Sequence, residues 1–352
     1  MKRKEVIADE CSIRTEFIPD CLLCGRQGVV LYEKLRDRIF SVPGLYNFFQ
    51  CSDCGLAWLN PQPLQEDILK CYEGYFKHAS LKNVSTPRRP FAAWRKWVRL
   101  CILHAQYNLP LADNSKLAYY LGYILGKIPV LLRKAAYNKE IFPPWSGQGR
   151  LLDVGCGNGH FLAFMQRVGW KVYGVEIDPE AAAIAKETHN VCVYVGTLQG
   201  AGFSDEFFDA ITMSHVIEHL PDGFDVLKEC HRILMPGGYL CIATPNLGSW
   251  GQSIFKKYWL ALDPPRHLYL WTPKALSRIV EKAGFKIIRC NTFAKNARLI
   301  FTQSRIIRIK KRVDFQKKNS FTAHLFCWLE TVLNKFVPNR AEDLIILARK
   351  EN

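Results

Sequence analysis

An α/β fold, with a largely parallel sheet covered by helices on both faces, is predicted for residues 150–294 by three observations. Short β-rich runs alternate with amphipathic stretches. A glycine turn, Gly155-Cys-Gly157-Asn-Gly159, follows the first run and opens a helix. An acid, Glu176, ends the next run. A βαβα order of this kind buries the strands between helices that cross back over them.

Taken in order, the strands are expected at Arg150–Val154, Lys171–Ile177, Val191–Val195, Phe208–Ser214, Tyr239–Thr244 and Phe285–Phe293. Helical patterns fill the gaps at Gly159–Val168, Pro179–Thr188 and Gly223–Leu234. Ahead of this domain, residues 11–63 carry two CxxC pairs and end in the turn-rich Asn60-Pro61-Gln62-Pro63. Residues 64–149 are helix-prone, aromatic and basic, and close on the linker-like Pro143-Pro144-Trp145-Ser146-Gly147. Beyond the domain, residues 295–341 are basic, with an amphipathic helix near Thr322–Phe336, and a strand-like Asp343–Ala348 follows.

Composition narrows the function classes. The chain has 352 residues, of which 49% are hydrophobic and 12% aromatic, enough for a sizeable core and against global disorder. No motif recurs at a fixed period, which argues against a repeat protein. The start lacks the apolar region of a secretory signal. The longest apolar stretch, Leu117–Leu132, is too short to span a bilayer comfortably and is broken by Lys127 and Pro129. Thirteen cysteines in a chain of this size fit free thiols in a reducing cytoplasm, with a subset on metal, better than a disulfide framework. Cys11 and Cys71 read as ordinary thiols.

The formal net charge is +16 and is unevenly placed. Arg88, Arg89, Arg95, Lys96, Arg99, Lys127, Arg133, Lys134 and Lys139 crowd the second segment. Lys295, Arg298, Arg305, Arg308, Lys310, Lys311, Arg312, Lys317 and Lys318 crowd the fourth. Positive charge beside apolar residues suits an anionic membrane surface or an acidic substrate. A solvated basic face that only aids solubility is the plain alternative. The expected location is the cytoplasm, with peripheral contact at the inner face of the membrane.

Cys21-Leu-Leu-Cys24-Gly25 and Cys51-Ser-Asp-Cys54-Gly55 are two knuckles separated by 26 residues. Each CxxC turn presents two thiolates from one tight loop, and the glycine after it permits the required backbone. Two knuckles bridged by a hairpin-length insert predict a zinc ribbon with Cys21, Cys24, Cys51 and Cys54 as ligands. Four protein ligands leave no open position, so this zinc is structural, and chelation is expected to unfold residues 11–63.

The glycine turn after a strand, followed by Glu176 at the end of the next one, places a turn under a nucleoside ligand and a carboxylate near its ribose hydroxyls. The GxGxxG spacing of dinucleotide folds and the Lys of a P-loop are both missing.

Leu-Asp-Val-Gly-Cys-Gly-Asn-Gly (152–159), Gly-Val-Glu-Ile-Asp-Pro (174–179), the run 208–222 and the run 234–246 together resemble the core of class I S-adenosylmethionine-dependent methyltransferases. The resemblance implies a Rossmann-like seven-stranded sheet in the order 3-2-1-4-5-7-6. Strand six would be Phe285–Phe293 and antiparallel strand seven Asp343–Ala348, so residues 295–341 become a basic helical insertion in a methyltransferase domain spanning 150–352. The ribbon at 11–63 followed by Asn-Pro-Gln-Pro resembles the N-terminal module of bacterial surface-glycan and secondary-metabolite methyltransferases. Residues 64–149 would then be a helical basic cap.

The resemblance also implies site roles. Asp153, Gly155, Gly157 and Gly159 would shape the methionine end of the S-adenosylmethionine pocket, Glu176 would hold the ribose, and Ile177 would pack on the adenine. Thr197 or backbone groups around Leu198 would meet the adenine amino group, where many members place an acid. Ser214 and His215 would lie near the methionine moiety. His215, Glu218, His219 and His267 are the candidates for acid–base work, with His267 favoured as base and Arg266 as an anion contact, both aimed inward by Pro264-Pro265. His215-x-x-Glu218-His219 resembles the Glu-x-x-Glu-His cation cluster of ubiquinone-pathway O-methyltransferases, with His215 in place of the first Glu.

The acceptor expected is a small molecule or glycan, with a sugar nucleotide or lipid-linked saccharide favoured. An RNA methyltransferase is the first alternative. Against it stand Trp58, where a CxxxH pattern would want histidine, the missing Asn-Pro-Pro-Tyr type motif after strand four, and the lack of an aromatic-rich RNA-reading signature. A non-catalytic cofactor-binding scaffold is the second.

Overall fold

The computed structural model describes residues 6–7, 13–72, 92–110, 115–128, 131–132, 135 and 141–351. Cys11, Arg88, Arg89, Pro129, Arg133, Lys134 and Lys139 lie outside the described residues. In chain order the N-terminal strands are β1 (Val6–Ile7), β2 (Thr15–Glu16), β3 (Val29–Leu35), β4 (Tyr46–Gln50), β5 (Ala57–Asn60) and β6 (Gln62–Pro63). Helices α1 (Ala92–Tyr107) and α2 (Lys116–Gly126) follow. The α/β domain then runs β7 (Arg150–Val154), α3 (His160–Arg167), β8 (Lys171–Glu176), α4 (Pro179–His189), β9 (Cys192–Val195), β10 (Phe208–Ser214), α5 (Gly223–Ile233) and β11 (Leu234–Pro245). It continues through α6 (Trp250–Phe255), β12 (Tyr269–Leu270), α7 (Pro273–Lys282), β13 (Phe285–Phe293), α8 (Ala297–Lys310), α9 (Phe321–Leu333) and β14 (Asp343–Lys350).

The seven-stranded sheet has the order β13-β14-β11-β10-β7-β8-β9, the expected order written from its other edge. β7, β8, β9, β10 and β11 are parallel, and β14 runs antiparallel to both β11 and β13. Alternation along each strand divides the interior in two. Leu152, Ile211, Leu240, Ile242 and Ile346 face one core, packed with α5 and α7. Leu151, Ala210, Cys241, Ile345 and Leu347 face the other, packed with α3, α4 and residues of α1. Each buried aliphatic side chain contributes about 1.5–3 kcal/mol over its exposed state.

Local sequence explains where the helices begin. Asp178 caps α4 by accepting from the Glu180 amide, with Pro179 in the first turn. Thr272 caps α7, again ahead of a proline, and Ser320 caps α9. β11 begins five residues before the expected Tyr239, at Leu234. Its Met235-Pro-Gly-Gly sequence reads as a turn, but a register shift opposite Phe208 and Ala210 absorbs it into the strand.

The ribbon is not an appendage. β3, β4 and β5 form an antiparallel sheet whose fourth strand is β12, contributed by the α/β domain, with Tyr269 opposite Trp58 and Leu270 opposite Ala57. Trp58 is fully buried, its indole N–H donating to Ile18 O at 2.9 Å. Ribbon residues Phe48, Leu56 and Leu59 belong to the same apolar core as Leu152 and Ile211. The two-residue β12 carries no periodic signal of its own; it forms because β5 offers an open edge.

Candidate functional site

The carboxyl ends of β7, β8, β9 and β10 gather the residues expected at the cofactor. Gly155, Gly157 and Gly159 all have positive φ, at 70°, 53° and 76°. A Cβ at Gly155 would stand 2.4 Å from Val216 Cγ2 and one at Gly159 2.8 Å from Ala185 Cβ, whereas one at Gly157 would meet nothing within 4 Å. The loop is thus tightly seated at both ends and open in the middle. Its central N–H, that of Gly157, donates to Glu176 Oε2 at 2.7 Å, and Asp178 N donates to Oε1 at 3.0 Å. Asp153 is buried and accepts from Thr212 Oγ1 at 2.6 Å, and burial together with the Glu176 charge pushes its carboxyl up to about 7.

Ile177 is 47% exposed directly after Glu176, an apolar side chain left on the surface beside the open glycine. These features fit a nucleoside with a polar ribose edge: a fixed carboxylate, an uncovered aliphatic side chain and backbone that a ligand can approach. Thr197 Oγ1 accepts from Gly200 N at 3.2 Å and closes a tight turn. Leu198 is buried in the core, so only its backbone is available to an adenine.

At the end of β10, Ser214 leads into His215, which adopts φ 57°, a left-handed conformation uncommon for histidine. The backbone N–H of His215 donates to Ala243 O at 2.8 Å. The turn carries Val216 against Gly155 and leaves the His215 side chain 38% exposed. His215 Nδ1 lies 3.3 Å from Glu218 Oε1; Nε2 lies 3.8 Å from Asp343 Oδ1 and 3.5 Å from Asn296 Nδ2. Asn296 in turn holds Asp343, donating from its backbone N at 2.9 Å and from its side chain at 2.7 Å. Desolvation opposes charge on His215, but Glu218 and Asp343 outweigh it and raise the imidazole above its ordinary value. Burial would raise Glu218; His215, with Nδ1 3.3 Å from Oε1, together with the neighbouring histidines, instead holds it down at about 2.

Two expectations are corrected here. Arg266 is not available to an anionic substrate. Its side chain is 0% exposed and donates to both Asp37 oxygens, Nη1 at 2.9 Å and Nη2 at 2.8 Å, and to Asp263 and Cys71 O. It points onto the ribbon side of the molecule, toward Asp37. His267 is likewise 8% exposed, with Nδ1 2.8 Å from Ala261 O, and packs edge-to-face on His219. His267 is thus buried against the protein, while the His215 side chain is partly exposed.

The donors that converge also differ from the expected set. A carboxylate oxygen of Glu218 and one ring nitrogen each of His219 and His267 lie within 4.8 Å of one another; His215 is not of this group. His219 Nδ1 lies 2.9 Å from Arg266 O and 2.8 Å from the Tyr72 hydroxyl. A carbonyl only accepts, so Nδ1 bears the proton in both rings and Nε2 keeps its lone pair, the tautomer a metal ligand requires. Burial, reinforced by His267, pushes His219 down to about 4 and keeps it neutral. The trio could hold a divalent cation where the resemblance implied one, with His267 replacing His215 as the third donor.

At the ribbon, the four cysteine sulfurs also lie within 4.8 Å of one another, with Sγ–Sγ separations of 3.4, 3.3 and 3.9 Å for Cys21–Cys54, Cys24–Cys51 and Cys24–Cys54. A tetrahedron with metal–sulfur bonds of about 2.3 Å has edges of roughly 3.8 Å, so the donor set fits zinc. Gly25 and Gly55 take φ 65° and 77° and close the two knuckles by donating to Cys21 O and Cys51 O.

Asp343, Asn296, Tyr72 and Asp37 were not singled out in the sequence. Each lies in a different segment from the group it serves, and only Asp343, at the start of β14, carried a signal in the strand-like run it opens.

Residues 128–289 match the family model of a methyltransferase domain. Over these residues the chain carries a methyltransferase domain, and its sheet order and glycine loop are those implied by the resemblance to class I S-adenosylmethionine-dependent methyltransferases. It is 29% identical over 162 residues to a ubiquinone biosynthesis O-methyltransferase of Cereibacter sphaeroides, covering 43% of this chain and 66% of that protein. It is 34% identical over 103 residues to one of Xanthomonas oryzae pv. oryzae, covering 28% and 43%. The chain thus spans less than two thirds of the length of these curated relatives. A solved S-adenosylmethionine-dependent methyltransferase from Archaeoglobus fulgidus aligns with a TM-score of 0.43 at 23% identity, covering 64% of this chain and 93% of that one.

Proposed function

We propose that the protein transfers a methyl group from S-adenosylmethionine to a hydroxyl of a small-molecule or glycan acceptor, with a sugar nucleotide or lipid-linked saccharide favoured. The observation that carries this reading is His215, half exposed at the end of β10 beside the glycine loop, with Glu218 on its Nδ1. S-adenosylmethionine, when bound, supplies an electrophilic methyl group. Asp153, Gly157 and Glu176 would hold it by its amino-acid and ribose ends. Transfer to carbon, nitrogen or oxygen depends mainly on positioning, but a hydroxyl gains from a base.

His215 Nε2 is that base. Glu218 fixes the Nδ1–H tautomer and stabilises the imidazolium that forms as the acceptor oxygen gives up its proton, as the acid of a catalytic triad does. Asn296 and Asp343 stand 3.5 and 3.8 Å from Nε2 itself, so the acceptor hydroxyl would take the place of the Asn296 contact there. The names of the ubiquinone-pathway relatives point to oxygen as acceptor atom. The excess of positive charge in the basic segments suits a pyrophosphate-bearing substrate.

The test is transfer of a radiolabelled methyl group from S-adenosylmethionine into fractionated extract of the source cell. Label in nucleotide-sugar, lipid or glycan fractions is expected. Ribonuclease-sensitive label would replace this reading with RNA methylation, and no label despite measured cofactor binding would favour a scaffold.

A further inference from the structure

Between β13 and β14, residues 295–341 hold eleven Lys and Arg against two acids, more than half of the net charge of the whole chain. α8 and α9 pack together there, with Phe326 stacked on Phe301 at 4.8 Å. The outer face of α9 is nevertheless apolar. Phe321 is 82% exposed and Trp328 60%, and Leu325, Leu329 and Leu333 join them at spacings that share one side of the helix. Phe336, 77% exposed, extends the stripe into the turn that follows.

The flanks of the stripe are cationic. Lys317 and Lys318 precede the helix and are exposed. Arg298 and Arg305 of α8 reach His324 and Thr322 of α9 at 3.5 and 3.4 Å. The single acid of α9, Glu330, turns inward, is 1% exposed, and is pushed up to about 9 by burial and by Glu342 and Asp343. Asp314, the other acid of the insertion, sits 3.8 Å from Lys310. A wide apolar face, bordered by positive charge and cleared of negative charge, matches the boundary between acyl chains and anionic headgroups.

We infer that α9 lies in the surface of an anionic membrane, with Phe321, Leu325, Trp328 and Leu329 in the acyl boundary and Arg298, Arg305, Lys317 and Lys318 on the headgroups. This docking holds whichever acceptor is methylated, and it has a consequence for access. Cys327, beside Trp328, donates to Ala294 O at 3.4 Å, two residues from the Asn296 that touches His215. The membrane-facing helix and the proposed acceptor site are therefore joined by a short stretch of chain.

The test is co-sedimentation of the full chain with vesicles of phosphatidylcholine alone and with vesicles containing phosphatidylglycerol. Binding is expected to be about tenfold or more stronger on the anionic vesicles and to weaken with salt. Leu325→Ser with Trp328→Ser, and separately Lys317→Glu with Lys318→Glu, are each expected to cut binding about tenfold or more. S-adenosylhomocysteine affinity serves as the folding control, and the charge pair keeps the inference testable if the apolar pair does not fold. Equal binding to neutral vesicles, binding indifferent to both pairs of substitutions, or a dimer that the Trp328 variant dissociates would each overturn the inference.

Discussion

His215 sits in a left-handed backbone conformation that costs a non-glycine residue about 1–2 kcal/mol, and the strand end, Val216 and Glu218 together hold it there. The strain falls on a partly exposed side chain, the one proposed as the base, whereas the partly buried His219 and the buried His267 are held by backbone carbonyls. His215→Gln is expected to lower kcat by about 100- to 10,000-fold with cofactor affinity nearly unchanged, as read from steady-state kinetics and calorimetry. Because Glu218 and Asp343 raise His215, and a base works only when deprotonated, kcat/KM should climb with pH through a value above the ordinary histidine range. Asp343→Asn should move that inflection down; an unmoved profile would remove Asp343 from the site. The same elevation stabilises the fold below the ordinary histidine pKa and is lost as pH rises through the raised one, so activity and this stability increment run in opposite directions. At the cofactor loop, Gly157→Ala places a methyl in open space at a positive φ. It should cost only about 1–2 kcal/mol of stability yet weaken S-adenosylhomocysteine binding about tenfold or more.

At the scale of elements, the segment from Asp263 to Thr272 links the two halves of the molecule. It begins in the carboxylate that shares Arg266 with Asp37, passes through His267 and enters β12, which completes the ribbon sheet. Leu268 N donates to Glu218 O while Leu59 N donates to Leu268 O, so a single residue ties β5 to the turn after β10. The Asp37–Arg266 pair is fully buried. Removing Arg266 strands the Asp37 carboxylate, so Arg266→Met should cost about 3–5 kcal/mol in denaturant unfolding, and Asp37→Ala less, because Asp263 still pairs with the guanidinium. Replacing both with apolar residues should recover much of that loss. An Arg266 variant of normal stability and weakened acceptor binding would restore the substrate-contact role set aside above.

For the whole molecule, this coupling changes what a metal on the four cysteines would support. Were the ribbon independent, chelation would unfold its own residues and leave the α/β domain intact. Because Phe48, Leu56, Trp58 and Leu59 share the core of the large sheet, loss of the metal should also loosen β12 and the turn carrying Glu218 and His219. Hydrogen exchange after Cys51→Ser is expected to rise across residues 263–272 as well as in β3, β4 and β5, with methyl transfer falling in step. Exchange confined to the ribbon would show that the shared core does not transmit the loss.

The glycine turn, Glu176, the sheet strands and the four cysteines were legible because each rests on local chemistry: a backbone only glycine tolerates, a strand-end carboxylate, a short β-rich run, two thiolates on one turn. The roles of His215, His267 and Arg266 were not. All three were visible as chemically capable residues near strand ends. Which one faces solvent was decided by partners far along the chain, Asp343 and Asn296 for His215, Asp37 for Arg266, and Ala261 and His219 for His267. Sequence by itself determined the donor types, the strands and the cofactor loop, and the family resemblance implied the strand order. Only the tertiary structure decided burial, because exposure and ion pairing depend on neighbours that the fold, and not the local pattern, brings together.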